Sequence, residues 1–290
     1  MKTGLLKTVA LLLALGIAFA ASSCKSGGGS SSSAPETVSS GSAGDDGALR
    51  SVDLEPIIDD GAAAGPYDGP AGVLENLRLL YSYNQDTVGW LTVKNGNGVA
   101  FIDYPVVQSY DNNFYLRRSF FGGYASGGTV FLHYRCDPVN LSKNTVIFGH
   151  NLKDHTLFAQ LLKYTSASFY NSAPVIEYST LYRNYRFKIF AAFYTTVYSN
   201  YIQAAFTDVE DFLAIIDEAK ARSVILTNVD VDSRDTIITL STCAYVDGVE
   251  GARFAVMGRL LREGESEGGC FASDNPDALD IRKAYVRPRA

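Results

Sequence analysis

Thr236-Ile237-Ile238-Thr239-Leu240-Ser241-Thr242-Cys243 is a run of β-branched and aliphatic residues with no Gly, Pro or charge to interrupt it, and it reads as a strand. Strand alternation puts Ile237, Thr239, Ser241 and Cys243 on one face. Ala244 to Ala252 contains Gly248 and Gly251 and reads as a loop, after which Arg253-Phe254-Ala255-Val256 opens a second strand. If the two strands pair as neighbours, a cysteine and an arginine flank the same end of one sheet. A guanidinium beside a thiol favours the thiolate and can also stabilise an oxyanion.

The flanking sequence is β-rich as well. Val88 to Val93, Ala100 to Tyr104, Gly128 to His133, Thr145 to Phe148, Val175 to Tyr178, Tyr185 to Tyr194, Val224 to Leu226 and Phe254 to Leu261 all read as strands. Asn95-Gly96-Asn97-Gly98 breaks the first two apart. Helical spacing recurs at Val73, Leu74, Leu77, Leu80 and Tyr81, ahead of Asn84, and shorter helices are expected around Asn112 to Leu116 and Leu157 to Leu162. Thr207-Asp208-Val209-Glu210 reads as a capping box for one long helix ending near Arg222, with Val209, Phe212, Leu213, Ile216 and Ala219 as its apolar face. Many short strands with one inserted helix predict a mainly β fold, a small barrel over residues 72–262.

Of the 290 residues 47% are hydrophobic, ample for a core, and 18 Tyr and 16 Phe against 2 Met and 1 Trp suit aromatic packing in a β protein. A net charge of −6 argues against a nucleic-acid partner, which would call for a basic face. Lys2 and Lys7 precede the uncharged apolar run Val9 to Ala21. That run is short for a spanning helix, which needs about 20 residues, but suits a signal-peptide core. Ala21-Ser22-Ser23 before Cys24, with a Gly/Ser tract behind it, resembles a bacterial lipoprotein signal and makes Cys24 a candidate lipidation site. An uncleaved anchor helix and simple secretion are the alternatives, and all three place the protein outside the cytoplasmic membrane. Residues 25–71 read as a disordered Gly/Ser/Pro-rich tether, and residues 263–290, polar and Gly-rich, as a flexible tail. Cys136 and Cys270 could pair in an oxidising compartment, although nothing in the sequence puts them close.

A third reactive group stands upstream, where Thr145-Val146-Ile147-Phe148 delivers His150 just beyond Gly149. Taken singly, the ordinary readings hold: a strand cysteine is a small core residue, a Gly-His pair is a turn, and an arginine is a surface charge. All three in order, each within its own local sequence, resemble the class B sortases. The resemblance runs from Val73 to Leu261. It rests also on Asn84-x-Asp86-x-Val88-Gly89-Trp90, Ile102-Asp103-Tyr104-Pro105-Val106-Val107-Gln108, Asn112-x-x-Tyr115-Leu116, Phe148-Gly149-His150-Asn151-x-Lys153-Asp154 and the inserted helix at 208–222. Phe148, Ala244 and His133 stand where Tyr, an acidic residue and Asp are frequent in the family.

The resemblance implies an eight-stranded barrel with an N-terminal helix and a Cys-His-Arg site. Cys243 would be the nucleophile, His150 the general acid and base, and Arg253 the stabiliser of substrate or oxyanion. Contacts to a sorting peptide would fall on Asn112, Leu116, Tyr201, Ile202 and Ser241. The implied reaction cleaves an Asn-Pro-x-Thr-x signal of a surface protein after Thr through a thioacyl enzyme, then joins the acyl group to an amine of a peptidoglycan precursor or stem peptide. A pilin lysine as acceptor, a hydrolytic cysteine endopeptidase and a catalytically silent binding module are the rival readings. No cofactor is expected, no His/Cys/carboxylate spacing suggests a metal, and the calcium site of class A sortases is not expected. His133 and His155 read as structural or surface residues, and Cys136 as non-catalytic.

Overall fold

The computed structural model describes residues 69–284. Cys24, the targeting segment and residues 25–68 of the expected tether lie outside the described residues. Helix α1 (Glu75–Tyr83) leads into β1 (Thr87–Lys94), β2 (Ala100–Val107), β3 (Phe131–Leu132) and β4 (Asn144–Phe148). After a 3-10 helix (Phe158–Thr165) and the short α2 (Ala167–Ser172) come β5 (Val175–Thr180), β6 (Asn184–Thr196), α3 (Val209–Arg222), β7 (Ile225–Thr227), β8 (Ile237–Cys243), β9 (Ala252–Leu260), β10 (Ala272–Asp274) and α4 (Ile281–Ala284). Eight strands close a barrel in the order β1-β2-β3-β4-β8-β9-β6-β5, and β5 pairs back onto β1. The β2–β3 and β4–β8 pairs are parallel, the others antiparallel. The mainly β, eight-stranded expectation holds.

Barrel strands usually alternate between a core face and a wet face, yet every residue of β8 from Ile237 to Thr242 is buried. The cause is a second layer. Ile238 and Leu240 join Leu91, Ile102, Phe254 and Val256 in the main core, while Ile237, Ala255 and Met257 face the opposite way, against Phe212, Ile216 and Ala219 of α3. Each large side chain that α3 buries there contributes about 1.5–3 kcal/mol. This covering leaves both faces of β8 dry, and the hydroxyls of Thr239 and Ser241 on the second face are satisfied by Asn144 and Tyr201.

Three local expectations are corrected. The α3 N-cap is Asp208, whose carboxylate accepts from the Asp211 N–H, so Thr207 does not head a capping box. Val209 is exposed at the first position of the helix, and Ile215, which neighbours Phe212, Ile216 and Ala219 at helical spacing, joins the buried face. Residues 263–290, expected as a flexible tail, are held in place as far as residue 284. β10 pairs antiparallel with β7, Asn275 Nδ2 donates to the Ser223 carbonyl at 2.7 Å, and Ile281 is buried. The strand expected at Val224 to Leu226 accordingly belongs to this separate two-stranded sheet, not to the barrel.

The segments that carried the family resemblance form a buttress beneath one end of the barrel. Asn84 Nδ2 donates to the Phe120 carbonyl and to Tyr115 Oη, and that hydroxyl donates to Asp86 at 2.7 Å. The 3-10 turn Phe114–Arg117 is thereby fixed against the start of β1. Gln108 Nε2 donates to the His133 and Cys136 carbonyls, and Trp90 Nε1 to Asp103.

Candidate active site

β8 and β9 pair so that Cys243 is the register partner of Arg253, at the end of the ladder. β4 runs parallel to β8 on its other side, with Phe148 opposite Ser241. Continuing that register two residues brings position 150 level with position 243, so three strand ends deliver a thiol, an imidazole and a guanidinium to one rim. All three side chains are half-buried. Gly149 is required at the β4 exit because a Cβ there would lie 2.6 Å from the Phe158 ring.

His150 is fixed by Nε2, which bonds the Leu116 carbonyl at 2.9 Å. A carbonyl only accepts, so in the neutral ring the proton sits on Nε2 and Nδ1 carries the lone pair. Burial holds the His150 pKa below its ordinary value. The Leu116 bond works the other way, and the charges of Arg117 and Arg253 add to the depression. The resting ring at neutral pH is therefore uncharged.

Of the expected peptide-contact residues, Ser241 shares a face with Cys243, and its hydroxyl lies 2.9 Å from Tyr201 Oη. Both are buried. Burial pushes the Tyr201 phenol up, with Arg253 and Cys243 both close enough to act on it. Ile202 follows in the 3-10 turn Asn200–Ile202 and is partly covered by both apolar clusters. Leu116 meets the site through the carbonyl that holds His150. Asn112 is engaged elsewhere, its Oδ1 accepting from the Tyr134 N–H at 3.0 Å.

A cavity of about 680 Å³ opens beside the thiol, lined by residues 243–253, including Tyr245, Asp247 and Glu250. That volume suits a short peptide stretch or another small ligand. Gly251, at φ +66°, closes the loop against Val197, where a Cβ would approach to 2.7 Å.

Sequence reasoning missed Asn144, which is fully buried at the start of β4. Its Oδ1 accepts from Thr239, and its Nδ2 donates to the Tyr201 and Gln203 carbonyls at 3.0 Å each. It bolts the Tyr201–Ile202 wall to the two strands that carry His150 and Cys243. A polar residue opening an otherwise apolar strand was the available signal. His133 is buried and stacked on Tyr134, a structural position, and His155 is exposed. Cys136, Cys243 and Cys270 are all free thiols, so the Cys136–Cys270 bridge is not formed.

No family model matches the chain. Curated relatives do: it is 37% identical over 212 residues to sortase B of Listeria monocytogenes, covering 71% of this chain and 85% of that protein. It is 33% identical over 183 residues to sortase B of Staphylococcus aureus, covering 63% and 73%. Among solved structures, a Staphylococcus aureus sortase B–substrate complex superposes with a TM-score of 0.60 at 33% identity, covering 67% of this chain and 88% of that one. Sortase B from Bacillus anthracis in complex with AAEK1 gives 0.59 at 30% identity, covering 68% and 89%.

Proposed function

The chain belongs to the class B sortases, cysteine transpeptidases, and from that premise we propose that it cuts an Asn-Pro-x-Thr-x sorting signal after Thr and joins the new carboxyl end to a cell-wall amine. The observation that supports this reading is the Cys243–Arg253 register pair with His150 level beside it.

The chemistry follows from the neutral resting imidazole. Cys243 Sγ attacks the Thr carbonyl carbon while its proton passes to His150, giving a tetrahedral oxyanion and an imidazolium. Arg253 stabilises the oxyanion with its planar fork of donors. Collapse breaks the C–N bond, His150 returns the proton to the departing amine, and a thioacyl enzyme remains. An incoming amine then attacks the thioester and gives its proton to His150. The C–S bond breaks, and His150 passes that proton to the departing sulfur of Cys243, restoring the resting pair. Asn112, Leu116, Tyr201, Ile202 and Ser241 line the peptide path. The acceptor is an amine of a peptidoglycan precursor or stem peptide.

The test is a synthetic Asn-Pro-x-Thr-x peptide incubated with the full chain, with and without an added amine, read by mass spectrometry. Cleavage after Thr, amine-dependent transfer and loss of both in Cys243→Ala are expected. Hydrolysis alone at saturating amine would overturn transpeptidation of this signal, and activity in Cys243→Ala would remove the nucleophile.

We further propose that the N-terminal segment holds the protein on the outer face of the cytoplasmic membrane, through a lipid on Cys24 or an uncleaved anchor helix. The charge pattern of Lys2 and Lys7, the apolar run behind them and the small residues before Cys24 support this. Among the described residues no helix is long and apolar enough to cross a membrane. Intact-mass analysis of membrane-extracted protein decides the anchor: a diacylglycerol on Cys24 is expected, and a free amino terminus ahead of residue 24 would refute lipidation.

A further inference from the structure

A parallel ladder between β4 and β8 would continue, past the strand ends, by using the carbonyls of Gly149 and Cys243 as its next acceptors. The last backbone bond on this path runs from the Gly149 N–H to the Ser241 carbonyl at 3.3 Å. Beyond it both acceptors are taken by side chains. Thr242 Oγ1 donates to the Gly149 carbonyl at 2.8 Å, and Asn151 Nδ2 donates to the Cys243 carbonyl at 2.9 Å. His150 lies between these two crossings. Its backbone is thus stapled to the cysteine strand on both sides, while its ring is held separately by the Leu116 carbonyl.

Asn151 is itself fixed from behind. It bridges Leu157 across a small loop, the Phe158 N–H closes on the His150 carbonyl at 3.0 Å, and Tyr104 Oη accepts from the Leu157 N–H at 3.0 Å. Leu157 holds φ +50°, an unfavourable value for a side-chain-bearing residue, and the loop is held in that form by its neighbours.

We propose that Asn151 is a positioning residue for the thiol–imidazole pair: its amide, bonded to the Cys243 carbonyl, continues the β4–β8 register in place of a backbone donor and sets the separation of His150 from Cys243. The proposal rests on the assignment of those two residues as acid–base group and nucleophile. A misplacement of about 1 Å between reacting groups costs on the order of a hundredfold in rate. The amide is bonded to a backbone carbonyl of the cysteine strand, so its loss should appear in kcat and not in KM.

The experiment compares Asn151→Ala, Asn151→Asp and Asn151→Gln in the full chain. It measures kcat and KM on an Asn-Pro-x-Thr-x peptide, thermal midpoint, and the pH dependence of Cys243 alkylation by iodoacetamide. Ala and Asp should lose about ten- to a hundredfold in kcat with KM within about threefold. The alkylation profile should move toward that of His150→Ala, and Gln, which keeps the donor on a longer arm, should recover part of both. An unchanged kcat and alkylation profile in Asn151→Asp overturns the proposal. So does a kcat loss that follows the thermal midpoint while the profile stays put, since a merely structural role predicts that. If the wild-type chain leaves the peptide untouched, the functional reading fails, and alkylation, which needs no substrate, still decides the role of Asn151 by the same two outcomes. Should the Asn151 variants not fold, Tyr104→Phe loosens the same loop from behind and must move the profile the same way, or the proposal falls.

Discussion

Cys243 and Arg253 face each other as the last register pair between β8 and β9, and the Arg253 Nη1 donates to the Ala252 carbonyl at 2.9 Å. The guanidinium of the residue that pairs with the cysteine is therefore braced by backbone on its own strand. Its position is set by the hairpin and not by a carboxylate partner.

Replacing that fork by a point charge should be costly. Arg253→Lys keeps the charge but loses the fixed array of donors, and kcat/KM on one sorting peptide should fall roughly a hundred- to a thousandfold, as for loss of an oxyanion donor. If Arg253 served only to bias the thiol toward thiolate, Lys would restore near-wild-type values at the pH optimum. A pH series of kcat/KM separates the two.

Burial depresses both His150 and His133, the latter with a contribution from Arg135. As pH falls, the unfolded chain takes up protons at these positions first. Stability from the two groups is thus complete above their ordinary value of 6.5 and is lost as pH drops through the lower folded values. Thermal midpoints should decline as pH falls below about 6.5, less steeply in His133→Asn. Separately, Arg117→Gln should raise the His150 titration seen by NMR, since the Arg117 charge is part of what holds it down.

Asn144 holds the Tyr201–Gln203 segment from inside the fold. In Asn144→Ala, Thr239 and the Tyr201 and Gln203 carbonyls lose their partner in a dry setting, at a cost of at least about 2 kcal/mol in stability. The Tyr201–Ile202 turn should loosen. KM for the sorting peptide should rise, while the Cys243 alkylation rate stays near wild type. A change in alkylation with constant KM would contradict this division of labour.

The segment after β9 is secured by Arg259, 1% exposed, which meets Glu265 through two bonds of 2.6 and 2.7 Å, while Lys188 reaches the same carboxylate at 2.8 Å. Glu265→Ala leaves a buried guanidinium without its main partner and should cost about 3 kcal/mol, or roughly 6–12 °C in Tm. Peptide turnover at 25 °C should persist, because the network lies at the end of β9 opposite Arg253. Calorimetry and a peptide assay check both halves.

The elements were legible in local sequence, and so were the three candidate reacting residues. The strand ending at Cys243, the restart at Arg253 and the delivery of His150 were legible because strand alternation and turn glycines act over a few neighbouring residues. The α3 helix was legible for the same reason, though its cap was placed one residue early and Ile215 was left off its buried face. Tertiary structure alone decided which strands pair and what covers them. The β4–β8 parallel pair, which makes position 150 level with 243, joins segments far apart in the chain, and no local pattern encodes that register. Ala272–Asp274 carries too little apolar periodicity to announce a strand, and it becomes one because β7 offers an edge. The partners of Asn144 and Asn151 were not legible for a related reason, although a polar residue opening β4 marked the first and the Gly-His-Asn run contained the second: an amide's role depends on which carbonyls the finished fold brings within 3 Å of it.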